Sequence, residues 1–305
     1  MKILIFGMGG IGGFVGGALA GVCPDVYFYG RGENLKAIER EGLRVDSEIL
    51  GSLTVRPKKT VRKGEKTEMM DVIFFACKGN ALKEACQEAA PFIRKDTLVI
   101  PLLNGVLISD MMKPLLPPCL LADGTIRVFS HLSGPGHVVQ TAGSGQIRMG
   151  MKDGETPHRL YETASLLRKA GIPAEVTEEI RTDSWAKYAI MGSNSAVFCY
   201  FDRPAGAVRK EDGFLSVVRE AVREVIRAAA SEGVFLPKSC EEGYVAAFLS
   251  LPEETVTSLY RDLKSGKKAE DTEAEMILGR MVKIGKERGL DIPVFQKAWE
   301  WARCQ

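Results

Sequence analysis

The chain has 305 residues, a net charge of +2, 45% hydrophobic and 26% charged residues. That composition belongs to an ordinary globular protein long enough for two cored domains. Near-neutral charge argues against nucleic acid, since the basic residues sit in short interrupted groups such as Lys58-Lys59, Arg62-Lys63 and Lys264 to Lys268. No apolar run has the length of a membrane span, so no membrane partner is expected.

The first predicted strand is Lys2-Ile3-Leu4-Ile5-Phe6, followed by Gly7-Met8-Gly9-Gly10-Ile11-Gly12 and small residues from Gly13 to Gly21. This is G-x-G-x-x-G in the setting it needs, a strand, a tight turn and a helix start. Gly7 permits the turn, Gly9 lets backbone approach a pyrophosphate, and Gly12 lets the helix pack on the strand. Together with Gly10 and Ile11 they open a helix whose free N–H groups hold an anion. The N-terminus therefore reads as a dinucleotide turn and lacks a signal-peptide layout.

A second strand, Val26-Tyr27-Phe28-Tyr29, ends at Gly30-Arg31. An NAD site usually carries Asp or Glu there, to hold the ribose 2′-hydroxyl. An arginine fits a 2′-phosphate, so the expected cofactor is NADP(H). A helix over 33–41 and short strands over 43–45 and 53–55 follow. The run 71–76 is nearly all apolar, as a buried parallel strand is. A helix over 81–92 and a strand over 97–100 continue the alternation, which predicts a doubly wound parallel sheet. Residues 120–150 change to short β segments split by Gly-Pro-Gly and Gly-Ser-Gly, read as antiparallel additions at the sheet edge. A helix over 157–170 and a strand over 174–176 close this half.

From Glu178 the pattern is helical, over 181–200, 214–232, 240–250, 253–263, 269–288 and 293–303, with Pro and Gly in the gaps. The expected fold is α/β, an N-terminal Rossmann-type doubly wound domain over 1–177 and an all-helical domain over 178–305. A cleft between two such domains is a preferred place for a small substrate. The seven cysteines, Cys23, Cys77, Cys86, Cys119, Cys199, Cys240 and Cys304, form no C-x-x-C pair. They read as free thiols of a reducing cytoplasm. His131, His137 and His158 lack H-x-x-x-H spacing, so no metal site is expected. Gly134-Pro135-Gly136-His137 reads as a turn.

A hydride delivered to a carbonyl leaves an alkoxide that needs a general acid. Lys187, in Asp183-Ser184-Trp185-Ala186-Lys187-Tyr188, stands near the start of the first helix of the second half. On pattern alone it is either a proton donor facing substrate or a surface lysine beside a core tryptophan.

The chain resembles the ketopantoate reductase (2-dehydropantoate 2-reductase) family over nearly its whole length. The resemblance rests on Gly7-x-Gly9-x-x-Gly12, Arg31-Gly32-Glu33, Cys77-Lys78, Leu103-Asn104-Gly105, Gly134-x-Gly136-His137, Trp185-x-Lys187, Ser258-x-x-x-Asp262 and Glu270. It implies that Arg31 and Lys78 grip the 2′-phosphate and that Asn104 orients cofactor and lysine. It implies Lys187 as proton donor, Glu270 as the group that fixes Lys187 and substrate, and Ser258 as the holder of the substrate carboxylate. The family commonly carries asparagines four and eight residues after the lysine; here those positions are Met191 and Ser195. A family Asn-Gly pair is Ala205-Gly206, the family's T-E-I-D run is set against Ala269-Glu270-Asp271-Thr272, and a glutamine is Ala81. Asn194, seven residues after Lys187, lies about 20° away on the helical wheel and takes part of the missing role, beside Ser195.

The resemblance implies reduction of 2-dehydropantoate to pantoate, which feeds pantothenate synthesis. One alternative is a more apolar 2-keto acid on the same scaffold; another is a dinucleotide sensor without turnover. A homodimer and a small 2-keto acid are the expected partners.

Overall fold

In the computed structural model, which describes Met1–Gln305, the chain forms two compact units. One comprises Met1–Leu103 and Leu107–Ile180; the other comprises Arg181–Gln305 together with Asn104–Val106.

The first unit runs β1 (Ile3–Phe6), α1 (Gly10–Ala20), β2 (Val26–Tyr29), α2 (Gly32–Glu41), β3 (Leu43–Ser47), β4 (Gly51–Val55), β5 (Lys59–Val61) and β6 (Val72–Phe75). It continues through α3 (Leu82–Ala89), β7 (Leu98–Pro101), α4 (Ile108–Met112), β8 (Leu120–Ile126), β9 (Phe129–Gly134), β10 (His137–Ala142), β11 (Ile147–Met151), α5 (His158–Lys169) and β12 (Ala174–Val176). The main sheet has the order β12-β11-β8-β7-β6-β1-β2-β5. It is parallel from β5 to β8, and β11 then pairs antiparallel with β8. Every residue of β1, β2, β6 and β7 is buried, the pattern of parallel strands covered on both faces.

The segment 120–150 departs from the sequence expectation. Only β11 is an antiparallel addition to the main sheet, β8 extends it in parallel, and β9 and β10 leave it. They form a second sheet, β4-β3-β10-β9. The physical reason lies in α1, which is sandwiched. A side chain at Gly12 or Gly16 would collide with the Gly7 carbonyl or with Phe28 and Ile5 of the main sheet. One at Gly10, Gly13 or Gly17 would collide with Ser130, Val138 or Val45 of the second sheet. The glycine-rich run thus serves packing on two faces as well as the tight turn after β1.

His137 has a structural job. Its Nε2 lies 2.7 Å from the Asp46 carboxylate and its Nδ1 lies 2.8 Å from Ser133 Oγ. Hydrogen bonds from Ser52 and His137 hold the Asp46 carboxyl down to about 2. Asn34 donates to the Met8 carbonyl (2.6 Å) and accepts from the Gly136 amide (2.7 Å), tying the glycine turn to the β9–β10 hairpin.

The second unit is helical: α6 (Ile180–Phe201, of which Ile180 counts with the first unit), α7 (Ala205–Val208), α8 (Phe214–Ser231), α9 (Cys240–Leu249), α10 (Ser258–Lys264), α11 (Arg280–Arg288) and α12 (Pro293–Arg303). On α8, Val218, Ala221, Val222, Val225, Ala228 and Ala229 are buried on a helical period. Glu224, buried on the same face, accepts from the amides of Val294 (2.7 Å) and Phe295 (3.0 Å), which caps α12. Two expected helices are corrected. The helix expected from 253 starts at Ser258, where Thr257 caps the Tyr260 amide. The run 269–288 breaks into a 3-10 turn (Ala269–Asp271), an extended Thr272, a π-helical turn (Glu275–Gly279) and α11. No helix is long and apolar enough to cross a membrane.

Candidate active site

Phe6 at the end of β1 pairs with Tyr29 of β2 and Phe75 of β6. Gly7, Gly30-Arg31 and Cys77-Lys78 therefore leave the sheet together, at the carboxyl ends of three adjacent parallel strands. The chain visits β2 on one side of β1 and later β6 on the other, so β1 marks the switch point where open sheets bind ligands. Gly7 has φ 102, and a Cβ there would lie 2.8 Å from the Cys77 amide nitrogen. Gly9 is the N-cap of α1, where no side chain caps the helix. The Gly13 amide makes a helical bond to the Gly9 carbonyl at 2.8 Å, which leaves the amides of Gly10, Ile11 and Gly12 ahead of the ladder. A Cβ on Gly9 would meet nothing within 4 Å. This end fits a pyrophosphate: amide dipoles gather and backbone is open to approach. Arg31 and Lys78 are exposed in extended backbone at the first turns of the next helical segments.

A different site lies within the second unit. Lys187 on α6 donates from Nζ to Asn104 Oδ1 at 3.1 Å. Asn104 donates from Nδ2 to Glu273 Oε2 at 3.2 Å. All three side chains are half-buried. Only one orientation of the carboxamide satisfies both bonds, because ammonium only donates and carboxylate only accepts. Ammonium and carboxylate are thus held at opposite ends of one amide, directed by it.

Sequence reasoning assigned the acidic role to Glu270; the structure gives the Asn104 bond to Glu273. Glu270 is exposed in the turn Ala269–Asp271. The signal was present. Thr272-Glu273 reproduces the first two letters of the family's T-E-I-D run, whereas Ala269-Glu270 reproduces one. The threonine has a reason as well. Buried Thr272 donates to the Ala269 carbonyl at 2.8 Å and accepts from the Ala274 amide at 3.2 Å, pinning the backbone on both sides of Glu273.

The other candidates differ in what their surroundings leave them. Met191 and Asn194 share the Lys187 stripe of α6 and are half-buried. Asn194 Oδ1 is buried without a hydrogen-bond partner, an acceptor not used by the fold. Ser195 is buried, and its hydroxyl donates to the Met191 carbonyl at 2.9 Å, so its proton is spent inside the helix. Ser258 is exposed as the first residue of α10.

Known proteins resemble this chain over its whole length. The sequence profile of "Ketopantoate reductase PanE/ApbA" matches residues 3–154, and its C-terminal counterpart matches residues 179–303. A 2-dehydropantoate 2-reductase of Pyrococcus horikoshii is 29% identical over 306 residues, covering 100% of this chain and 97% of that protein. The solved PanE/ApbA family ketopantoate reductase of Ralstonia eutropha is 25% identical with a TM-score of 0.87, covering 100% of this chain and 98% of that one. A D-mandelate dehydrogenase solved with NADH and anilino(oxo)acetate is 25% identical with a TM-score of 0.85, at the same coverage. The chain belongs to the ketopantoate reductase family and is an NADP-dependent oxidoreductase of that kind.

Proposed function

We propose that the protein reduces 2-dehydropantoate to pantoate with NADPH, and that Lys187 is the general acid. The observation that carries this reading is the hydrogen-bonded set Lys187–Asn104–Glu273. NADPH, when bound, supplies the hydride that forms the new C–H bond at the substrate's carbonyl carbon. The glycine turn and the start of α1 hold its pyrophosphate, and Arg31 and Lys78 its 2′-phosphate, two cations on one dianion. Lys187 hydrogen-bonds the ketone oxygen and passes it a proton from Nζ as negative charge builds there. Asn104 aims the ammonium, and Glu273 fixes the amide of Asn104. Asn194 offers its unused carbonyl oxygen to the substrate hydroxyl, and Ser258 meets the carboxylate.

A second reading has a specific observation behind it. Met191 makes the lysine stripe more apolar, and Ser195 has its proton engaged with the Met191 carbonyl. Both favour a 2-keto acid with a branched or aromatic side chain. NADPH oxidation against a panel of 2-keto acids decides between the readings. The first predicts the highest kcat/KM with 2-dehydropantoate and a clear rise in its KM in Asn194→Ala. A better apolar substrate and an unchanged Asn194→Ala select the second.

A further inference from the structure

Tyr188 follows the proposed acid Lys187 directly, and its whole side chain is buried. It packs edge-on against Trp185, with centroids 6.0 Å apart, and stacks on Phe295 at 6.3 Å. Its hydroxyl donates to the carbonyl of Ile277. That carbonyl lies in the π-helical turn Glu275–Gly279, which begins two residues after Glu273. The hydroxyl thus ties α6 to a turn that departs from the regular i→i+4 ladder. Burial pushes the phenol well above its ordinary range, so it stays a donor.

These bonds close a ring. Tyr188 donates to the Ile277 carbonyl. The Ile277 amide donates to the Glu273 carbonyl at 2.9 Å. The Glu273 carboxylate accepts from Asn104, and Asn104 accepts from Lys187. The peptide bond between Lys187 and Tyr188 completes the circuit. We propose that Tyr188 is a positioning residue for the lysine site, and that its hydroxyl fixes the register of the Glu273-bearing turn against the helix that carries Lys187. Gly192, one turn further along α6, supports the same reading. A Cβ there would lie 2.8 Å from Cε1 and Cζ of the Tyr188 ring. The ring lies where only glycine leaves it room.

The inference rests on the lysine site proposed above, and its test separates the two. Tyr188→Phe keeps the ring and removes only the hydroxyl. Displacement of reacting groups by a fraction of an ångström to an ångström costs up to about a hundredfold, so kcat in Tyr188→Phe should fall about ten- to a hundredfold. The dissociation constant for NADPH should stay at the wild-type value. Tyr188→Phe/Asn104→Ala should be no slower than Asn104→Ala alone, because the hydroxyl acts through that asparagine; a merely structural role would add its own loss. Gly192→Ala keeps the hydroxyl but moves the ring, and should lower kcat in the same direction. Amide hydrogen exchange on the apo protein gives a readout without turnover: the peptides containing Asn104–Val106 and 273–281 should exchange faster in Tyr188→Phe. Wild-type kcat in Tyr188→Phe, wild-type exchange in both peptides, or additive losses in the double variant would each overturn the proposal. A wild type that reduces no 2-keto acid would overturn the functional reading instead, and the exchange measurement would still decide whether Tyr188 holds the turn.

Discussion

The first unit sets backbone amides and two exposed cations at the ends of β1, β2 and β6, all within one stretch of sheet. The second unit builds its site from three half-buried side chains, whose hydrogen bonds span 83 and 169 residues of sequence. One is made by local chain geometry and tolerates solvent; the other needs three distant segments held in mutual register. The difference sets how each should respond to substitution. A lost exposed cation weakens binding by a modest, screened amount. A lost member of the half-buried set should strike the chemical step.

The largest effect should come from Lys187. General acid catalysis contributes about 10²–10⁴-fold, and Lys187→Ala should lower kcat by about that range. Lys187→Arg should not restore it, because guanidinium keeps its proton near neutral pH. Steady-state kinetics on the two variants check this, and near-wild-type turnover in Lys187→Ala removes the lysine from the reaction.

Next comes Glu273, the carboxylate that accepts from Asn104. A hydrogen bond to a charged group is worth about 1.5–3 kcal/mol, so Glu273→Ala should lose about ten- to a hundredfold in kcat. Glu270→Ala should lose less. A reversed ranking would restore Glu270 to the role given it by sequence comparison.

Arg31 should show a smaller effect of another kind. Arg31→Ala should weaken NADPH by about tenfold, since the residue is exposed and water screens its charge. Binding of NADH should not change. Isothermal titration with both cofactors measures this, and equal wild-type affinity for the two would break the assignment of the 2′-phosphate to Arg31 and Lys78.

How much of this was legible follows the same divide. The turn from Gly7 to Gly12 and the arginine after β2 announce themselves within a few residues, because strand, turn and helix start are local events. The extra glycines, Gly13, Gly16 and Gly17, looked like helix filler, because nothing local shows that β9 and β10 pair with β3 and cover α1. Family spacing points to Lys187 and Asn104, which are hydrogen-bonded to each other, and to Glu270, which lies three positions before the Glu273 that Asn104 meets. The family's T-E-I-D run fits one letter at Ala269-Glu270 and two at Thr272-Glu273, and a 3-10 turn, an extended Thr272 and a π turn stand where one continuous helix was expected, so helical phase gives no check across 269–279. The Tyr188 ring of bonds is invisible in the sequence, since it depends on a carbonyl within that irregular turn.

The smallest effect concerns stability. Burial pushes the Glu224 carboxyl up to about 7, against the pull of the two amides it caps and of Arg227, with Glu220 adding to the upward push. The folded chain thus holds this proton more tightly than the unfolded chain. The stability it contributes is fully present below about pH 4.5 and is lost as pH rises through about 7. The Tm of wild type relative to Glu224→Gln should therefore fall between those pH values. A pH-independent difference would mean that Glu224 is ionised throughout.

The division of labour itself is tested most directly on one protein, the Arg31→Ala/Lys187→Ala variant. Its dissociation constant for NADPH and its kcat at saturating NADPH are measured beside those of the two single variants. Its NADPH affinity should equal that of Arg31→Ala and its kcat that of Lys187→Ala, each unchanged by the other substitution. A kcat at saturating cofactor that drops further when Arg31 is removed, or an NADPH affinity that drops further when Lys187 is removed, would contradict it.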